Sequence, residues 1–195
     1  YARIKLNNKT FMLMDAPPEK EDCVPFVTID EFFDTNGVRV PHIVAKDLEQ
    51  GFLLLEDFGD VLLSTQLDDK TVDAHYAQSF KQLIQLQSID GEGHFPAYSY
   101  EKLMTEMSLL TDWLLPSLQI QPSDDESALI KRTFAILANA ALAQPQVIVH
   151  RDFHSRNLML LADEQEQGVI DFQDAVIGAD TYDLISITRD AYVQW

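Results

Sequence analysis

The feature that most constrains this chain is the stretch 147–174, in which polar motifs alternate with short apolar runs. One motif has the pattern H-x-D-x-x-x-x-N and consists of His150, Asp152 and Asn157. The apolar runs around it are too short for helices and are typical of buried strands. The last run ends in Asp171, after a polar segment at 162–168 that ends in glycine and suits a hairpin turn. We therefore predict that a hairpin brings Asp152, Asn157 and Asp171 to one end of a small sheet.

These three side chains are a set that phosphoryl transfer requires. Enzymes accelerate that reaction mostly by positioning the reactants and by neutralising charge on the phosphate oxygens. One carboxylate should accept the proton of the attacking hydroxyl, and Asp152 fits this role. An amide and a second carboxylate should hold Mg²⁺, which prefers oxygen ligands, and Asn157 and Asp171 fit that role.

A transition-metal site is a different interpretation of the same motif. His150, Asp152 and His154 alternate along the chain, so on a strand they would share one face and could form the metal centre of a hydrolase. Asn157 would then have no role, and the other three histidines have no ligand-like spacing. We therefore favour the phosphotransferase interpretation.

The loop H-R-D-F-H-S-R-N, together with I-D-F-Q-D, resembles the aminoglycoside phosphotransferase branch of the protein-kinase-like fold. The stretches 13–22, 47–59 and 178–192 resemble the bacterial anomeric kinases of N-acetylmuramate and N-acetylglucosamine, which serve cell-wall recycling. The resemblance implies an α+β, bilobal fold, with a small antiparallel-sheet lobe at 1–59 and a larger, mainly helical lobe at 60–195. It implies ATP and Mg²⁺ as cofactors and a small molecule, an amino sugar, as substrate. An aminoglycoside or another small-molecule acceptor is the alternative within the superfamily.

The resemblance also implies roles for individual residues. Asp152 and His154 would be catalytic, with His154 at the position where protein kinases have a lysine. The strand that ends near residue 55 would lead into a hinge whose backbone binds adenine. The cofactor-binding residues expected there are Leu55, Glu56, Asp57 and Phe58. Asp183 would support the backbone of the catalytic loop, and His150 would be a scaffold residue.

Two parts of a kinase-like small lobe are missing from the sequence. No glycine precedes Gly37, so there is no glycine-rich phosphate loop, and we expect the small lobe to be truncated at its N-terminus. The expected strand at 11–15 has no lysine that could bind phosphates. Lys5 or Lys20 could substitute, and Glu31 would be the partner to test. A non-catalytic pseudokinase would explain the absence of both the glycine-rich loop and the lysine. Against this alternative, the proposed base and both proposed metal ligands are present in the sequence.

Composition restricts the classes of partner. The net charge is −18 and the pI about 4.4, which argues against nucleic acid and anionic membranes as partners. With 46% hydrophobic residues the chain is globular, and its single cysteine, Cys23, rules out an intrachain disulfide. No apolar run is long enough to span a membrane, so we expect a cytoplasmic location. We also expect a monomer.

Hydrophobic periodicity predicts the remaining elements. Hairpins are expected at 1–14, with a turn at Asn7 and Asn8, and at 40–55. Ser123 and Glu126 should form a capping box at the start of a helix that runs through residue 142. The residues expected to face the core are Phe26, Ile29 and Phe33 in the first helix; Val72, Tyr76, Phe80, Leu83 and Ile84, with His75 exposed, in the second; Leu103, Met107, Leu110, Trp113 and Leu114 in the third; Ile130, Phe134, Leu137 and Ala141 in the fourth; and Leu184, Ile187 and Ala191 in the last.

Overall fold

The computed structural model describes residues 1–162 and 166–193. Part of the turn expected at 162–168 therefore lies outside the described residues. The first half of the chain forms a four-stranded antiparallel sheet in the order β1-β2-β4-β3. Its strands are β1 (Ala2–Leu6), β2 (Lys9–Asp15), β3 (Ile43–Asp47) and β4 (Phe52–Glu56). Both predicted hairpins are confirmed, although β3 begins at Ile43 and not at residue 40.

Backbone conformation explains where these elements turn. Asn7 and Asn8 have φ angles of 50° and 64°, the left-handed conformation that a tight hairpin turn requires. Helix α1 (Val24–Thr35) has a proline in its first turn and is followed by Gly37, with φ of 79°. It connects β2 to β3 and packs its apolar face beneath the sheet.

The second half of the chain is mainly helical and contains two small sheets. Its helices are α2 (Val72–Gln87), α3 (Tyr100–Leu109), α4 (Leu115–Ser117), α5 (Asp124–Leu142) and α6 (Thr181–Thr188). Strands β5 (Gln146–Val149) and β8 (Val176–Ala179) form one antiparallel pair, and β6 (Leu158–Leu160) and β7 (Gln167–Val169) form the other. The predicted hairpin is therefore confirmed as β6–β7, whereas the strand that precedes the catalytic loop belongs to a separate sheet. The sequence analysis missed β8.

One continuous core joins the two halves of the chain. Its fully buried side chains come from the four-stranded sheet, from α1 and α2, and from the region around the catalytic loop. Among them are Phe33, Leu53, Leu63, Leu86, Ile148, Leu158 and Phe172. The capping box of α5 is also confirmed, since the Ser123 amide donates to Glu126 Oε2 at 2.8 Å and the Glu126 amide donates to Ser123 Oγ at 3.3 Å.

Several residues predicted to face the core are exposed instead. In α2, Ile84 is exposed and Leu86 is buried, and His75, predicted to be exposed, is half-buried. In α5, Leu137 is exposed and Ala138 occupies the buried position. The first helix matches its prediction, with Phe26, Ile29 and Phe33 all buried, and so does Phe134 in α5.

The largest error concerns the third helix. Trp113 was expected in the core, but its side chain is 72% exposed, and Leu110 and Leu114 are exposed as well. A π-helical segment, Leu110–Leu114, follows α3 directly, and neither element contains a fully buried residue. The apolar spacing of this stretch therefore does not mark a buried face, although the 3.6-residue period predicts one. In α6, Ile187 is buried, Leu184 is exposed, and Ala191 lies beyond the end of the helix.

No helix within 1–162 or 166–193 has both the length and the apolar character needed to cross a bilayer.

Candidate active site

The loop between β5 and β6 folds back on itself around the carbonyl oxygen of Asp152. That oxygen accepts hydrogen bonds from the His154 amide at 2.9 Å and from Asn157 Nδ2 at 3.0 Å. The Asn157 amide donates in turn to the His154 carbonyl at 2.9 Å. The Asp152 carboxylate is exposed and accepts no hydrogen bond from the part of the chain that the structure describes. The loop therefore fixes the backbone of Asp152 and leaves its carboxylate free to receive a proton.

Asn157 links this loop to Asp171, as predicted from the hairpin. Asn157 Nδ2 lies 3.3 Å from Asp171 Oδ2, and the Ile170 amide donates to the Asn157 carbonyl at 3.0 Å. Gln173 Nε2 donates to the other carboxylate oxygen of Asp171, also at 3.0 Å. The backbone of Asp171 has φ of 66°, a conformation that residues other than glycine seldom adopt and that directs its side chain toward Asn157.

Asp183 binds the backbone at the start of the catalytic loop. Its carboxylate is buried and accepts hydrogen bonds from the backbone amides of His150, at 2.7 Å, and Arg151, at 3.0 Å. Burial raises the pKa of Asp183 to about 7, although the two amides oppose this shift. The position of Asp183 thus agrees with a supporting role.

His150 is fully buried, and the structure gives no support to the transition-metal interpretation. Its ring Nε2 lies 3.0 Å from the Ile170 carbonyl, and burial lowers its pKa to about 4. Strand β5 ends at Val149, so His150, Asp152 and His154 do not share the face of a strand. Within the described residues, no group of three or more His, Cys, Asp and Glu side chains is placed to hold a metal ion.

His154 lies beside Tyr192 rather than beside Asp171. The two rings are 5.0 Å apart in an edge-on arrangement, and the Arg156 guanidinium lies 3.9 Å above the same tyrosine ring. The amide of Ser155 donates to the Asp190 carboxylate at 2.8 Å. The segment after α6 therefore packs against the catalytic loop and orients His154.

A cleft of 480 Å³ extends from the hinge to the metal-binding candidates. Residues 55–60, which end β4 and follow it, line one side, and Asn157, Asp171 and Phe172 line the other. The cleft thus brings together all four predicted cofactor-binding residues and both predicted metal ligands. Asp152 and His154 are not among the residues that line it.

Phe172 anchors the side of the cleft that carries Asp171. Its ring is fully buried, 5.0 Å from Phe26 and 5.8 Å from Phe33, both on α1. The position of Asp171 is therefore coupled to the position of α1.

Two arginines that the sequence analysis missed form ion pairs with the acidic side chains of the hinge. Arg39 binds Glu56 at 2.5 and 2.8 Å and lies 4.6 Å from the centre of the Phe58 ring. Arg3, on β1, binds Asp57 at 2.7 and 3.0 Å and also binds Asp60. These pairs are 17 and 54 residues apart in the sequence, so no local pattern predicts them.

The phosphate-binding lysine remains unassigned. Glu31, the expected partner, forms an ion pair at 2.5 Å with Lys46 of β3, and both side chains are exposed. Lys5 and Lys20 are exposed too, and neither forms an ion pair with the described residues.

With this geometry in place, comparison with known proteins identifies the family. The sequence pattern of the phosphotransferase enzyme family (APH) matches residues 1–195. The chain belongs to this family. Among curated members, the N-acetylmuramate/N-acetylglucosamine kinase of Pseudomonas aeruginosa is 41% identical over 196 residues, which cover 100% of this chain and 57% of that protein. The enzyme of the same name from Neisseria meningitidis serogroup B is 36% identical over 97% of this chain and 57% of its own length.

Solved structures of the APH family share the fold at low sequence identity. The type VIII aminoglycoside-3'-phosphotransferase has a TM-score of 0.62 and 18% identity over 96% of this chain and 72% of its own. The ADP-bound aminoglycoside phosphotransferase APH(2'')-Ib has a TM-score of 0.63 and 19% identity, over 94% of this chain and 69% of its own. The α+β, kinase-like fold is thus confirmed. The chain spans little more than half the length of the curated relatives that it matches.

Proposed function

We propose that the whole protein transfers the γ-phosphoryl group of ATP to the anomeric hydroxyl of N-acetylmuramate or N-acetylglucosamine. The observation that carries this proposal is the 41% identity to a kinase of that name over the entire chain. The geometry of the loop also supports it. Asn157 donates hydrogen bonds to the Asp152 carbonyl and to the Asp171 carboxylate, so the three residues that phosphoryl transfer would use lie together.

In this proposal Asp152 is the general base. Its free, exposed carboxylate accepts the proton of the acceptor hydroxyl as that oxygen bonds to the phosphorus and the bond to the leaving ADP breaks. His154 and Arg156 lie on the same loop and would face the transferred phosphate; His154 is held by Tyr192. Asp183 acts only on the backbone, through its two amide bonds.

The side chains of Asn157 and Asp171 fit a magnesium ion. Both have oxygen atoms of the kind that Mg²⁺ prefers, and a hydrogen bond of 3.3 Å from Asn157 Nδ2 to Asp171 Oδ2 holds the two side chains together. Asn157 Oδ1 accepts no hydrogen bond from the residues that the structure describes. The contacts from Asn157 and Gln173 hold the Asp171 carboxylate in one orientation. When bound, Mg²⁺ would neutralise charge on the phosphate oxygens.

The cleft beside residues 55–58 is our proposed site for ATP. Glu56 and Asp57 bind Arg39 and Arg3 with their side chains, and the Glu56 amide donates to the His42 carbonyl at 2.9 Å. Recognition of the adenine edge would therefore fall to the remaining backbone groups of residues 55–58. A nucleotide held there would extend toward Asn157 and Asp171 along the same cleft. The lobe boundary near Gly59, with lobes at 1–59 and 60–195, stays a prediction, as do the monomeric state and the cytoplasmic location.

The test is ADP release by the full-length protein in the presence of Mg·ATP and one of four acceptors. N-acetylmuramate, N-acetylglucosamine, an aminoglycoside and choline represent the competing acceptor classes. We expect turnover with the two N-acetyl sugars. Turnover with the aminoglycoside or choline alone would contradict the proposed substrate, and loss of ATP binding together with all turnover would favour a non-catalytic pseudokinase.

A further inference from the structure

Arg151, the residue directly before the proposed base, is held in a strained conformation. Its φ of 80° lies in the left-handed region, which is costly for a residue with a long side chain. Such a conformation persists only if contacts on both sides of the residue hold it. The backbone contact is the hydrogen bond from the Arg151 amide to Asp183.

The side-chain contact comes from α3, which has no assigned part in the reaction. Arg151 Nη2 binds Glu106 Oε1 at 2.7 Å, and the two side chains are only 21% and 29% exposed. The other oxygen of Glu106 accepts a hydrogen bond from the hydroxyl of Tyr98, whose ring lies 5.8 Å from the Arg151 guanidinium. Tyr98 in turn contacts Tyr182 of α6, hydroxyl to hydroxyl, at 3.3 Å. Tyr98 thus holds one carboxylate oxygen of Glu106, and the other oxygen binds Arg151.

The direction of the Asp152 carboxylate depends on this arrangement. The carboxylate of Asp152 accepts no hydrogen bond from the described residues. The direction of this side chain is therefore set by the backbone conformation of Arg151 and Asp152. Arg151 also reaches toward Asp174, with Nη1 3.5 Å from the carbonyl oxygen, which connects the loop to the segment after Asp171. Release of the Arg151 side chain would let its φ relax and would move the base.

We propose that Glu106 is a positioning residue that fixes Asp152 through Arg151. This inference rests on the proposed function of Asp152. It assigns to α3 a direct part in the geometry of the catalytic loop, besides its packing against α5.

The first test compares Glu106→Gln with Glu101→Gln, which makes the same chemical change on an exposed position of the same helix. In the full-length protein, Glu106→Gln should lower kcat by roughly ten- to a hundredfold and change the KM values for ATP and sugar by less than about threefold. Glu101→Gln should leave both parameters unchanged. Equal kcat values for wild type and Glu106→Gln would overturn the proposal, and so would a loss confined to KM.

A double-mutant cycle separates positioning from a general structural role. If Glu106 acts through Arg151, the variant that combines Glu106→Gln with Arg151→Met should be no slower than Arg151→Met alone. Independent, multiplicative losses would contradict the inference.

Hydrogen exchange gives an answer that needs no substrate. The amides of His150 and Arg151 should exchange faster in Glu106→Gln than in wild type or in Glu101→Gln, because release of the side chain weakens their bonds to Asp183. Unchanged exchange would overturn the proposal. An inactive wild-type protein would count against the proposed function, and the exchange result would still decide the role of Glu106.

Discussion

At the scale of single residues, Asp152 differs from the other acids of the site in having a carboxylate free of hydrogen bonds from the described residues. Asp171 is held by two amides and Asp183 by two backbone N–H groups. A proton acceptor must be free to change its charge during the reaction, whereas a metal ligand or a scaffold residue must keep its place. The hydrogen-bond partners of the three acids therefore support the three roles that we propose for them.

The substitution Asp152→Asn tests the role of the base. It keeps the size of the side chain and removes its ability to accept a proton, so kcat should fall by about a thousandfold. The dissociation constant of Mg·ATP should stay within about twofold of wild type, because Asp152 does not line the nucleotide cleft. An equal loss of nucleotide binding, measured by calorimetry, would show that Asp152 serves binding instead.

Asp30 is a buried acid that the proposed reaction does not use. It is 1% exposed on α1, and its Oδ2 has no hydrogen-bond partner among the described residues. Burial, with the nearby charges of Asp34 and Glu31, raises its pKa to about 7 from an ordinary value of 3.8. Between these two values the folded protein keeps a proton that the unfolded chain releases. Stability should therefore fall as the pH rises through this window.

We expect Asp30→Asn to remove this pH dependence. The free energy of unfolding of the variant, relative to wild type, should rise by about 1–3 kcal/mol between pH 4 and pH 8. Urea titrations at both pH values measure it, with the exposed Asp69→Asn as control. A variant whose difference from wild type is the same at both pH values would show that Asp30 does not carry the shift.

At the scale of elements, the β6–β7 hairpin is packed against the hinge through a glycine. A Cβ atom added to Gly168 would lie 2.2 Å from the Phe58 ring, and Phe58 is itself in contact with Arg39. The hinge and the hairpin flanked by the proposed metal ligands are therefore in direct contact. A shift of the hinge should therefore also displace the β6–β7 hairpin, because close-packed side chains leave no room for independent movement.

The variant Gly168→Ala should be destabilised by about 1–3 kcal/mol in urea, because the Phe58 ring must move to accept the methyl group. Combination with Phe58→Leu should restore part of that loss, as the smaller side chain vacates the space. If Gly168→Ala unfolds at the wild-type urea concentration, the close approach of hairpin and hinge does not exist in solution.

Local sequence patterns predict elements well where the determinants lie within a few residues. The asparagine turn and the capping box of α5 are both of this kind, and both are confirmed. Strand β8 was missed because its partner β5 lies about 30 residues earlier and its own sequence, V-I-G-A, is too short to alternate. Trp113 was misplaced because apolar spacing does not show whether another element covers the helix, and neither α3 nor the π-helical segment contains a fully buried residue.

The same distinction between nearby and distant determinants in the sequence applies to the candidate site. Asp152, Asn157 and Asp171 could be predicted to meet, because one hairpin connects them. Glu106, Arg3 and Arg39 could not, because their partners are 45, 54 and 17 residues away in the sequence. Those contacts depend on how the helices and the four-stranded sheet pack, which no local pattern records.

At the scale of the whole molecule, the core is continuous from the four-stranded sheet to the catalytic hairpin. Phe172 packs against Phe26 and Phe33, which connects α1 to the segment that contains the metal-binding candidate Asp171. The proposed nucleotide cleft is lined by Phe26 and Phe172 as well as by the hinge. The proposed reaction would therefore use residues from both halves of the chain, brought together by the fold.

The most direct test of this account is the identity of the phosphorylated product. The full-length protein is incubated with Mg·ATP and N-acetylmuramate, and the mixture is followed by ³¹P NMR. We predict one new phosphomonoester signal coupled to the anomeric proton of the sugar, formed in equal amount with ADP and lost in Asp152→Asn. A mixture that contains only ADP and inorganic phosphate, or a product phosphorylated at another hydroxyl, would contradict the account.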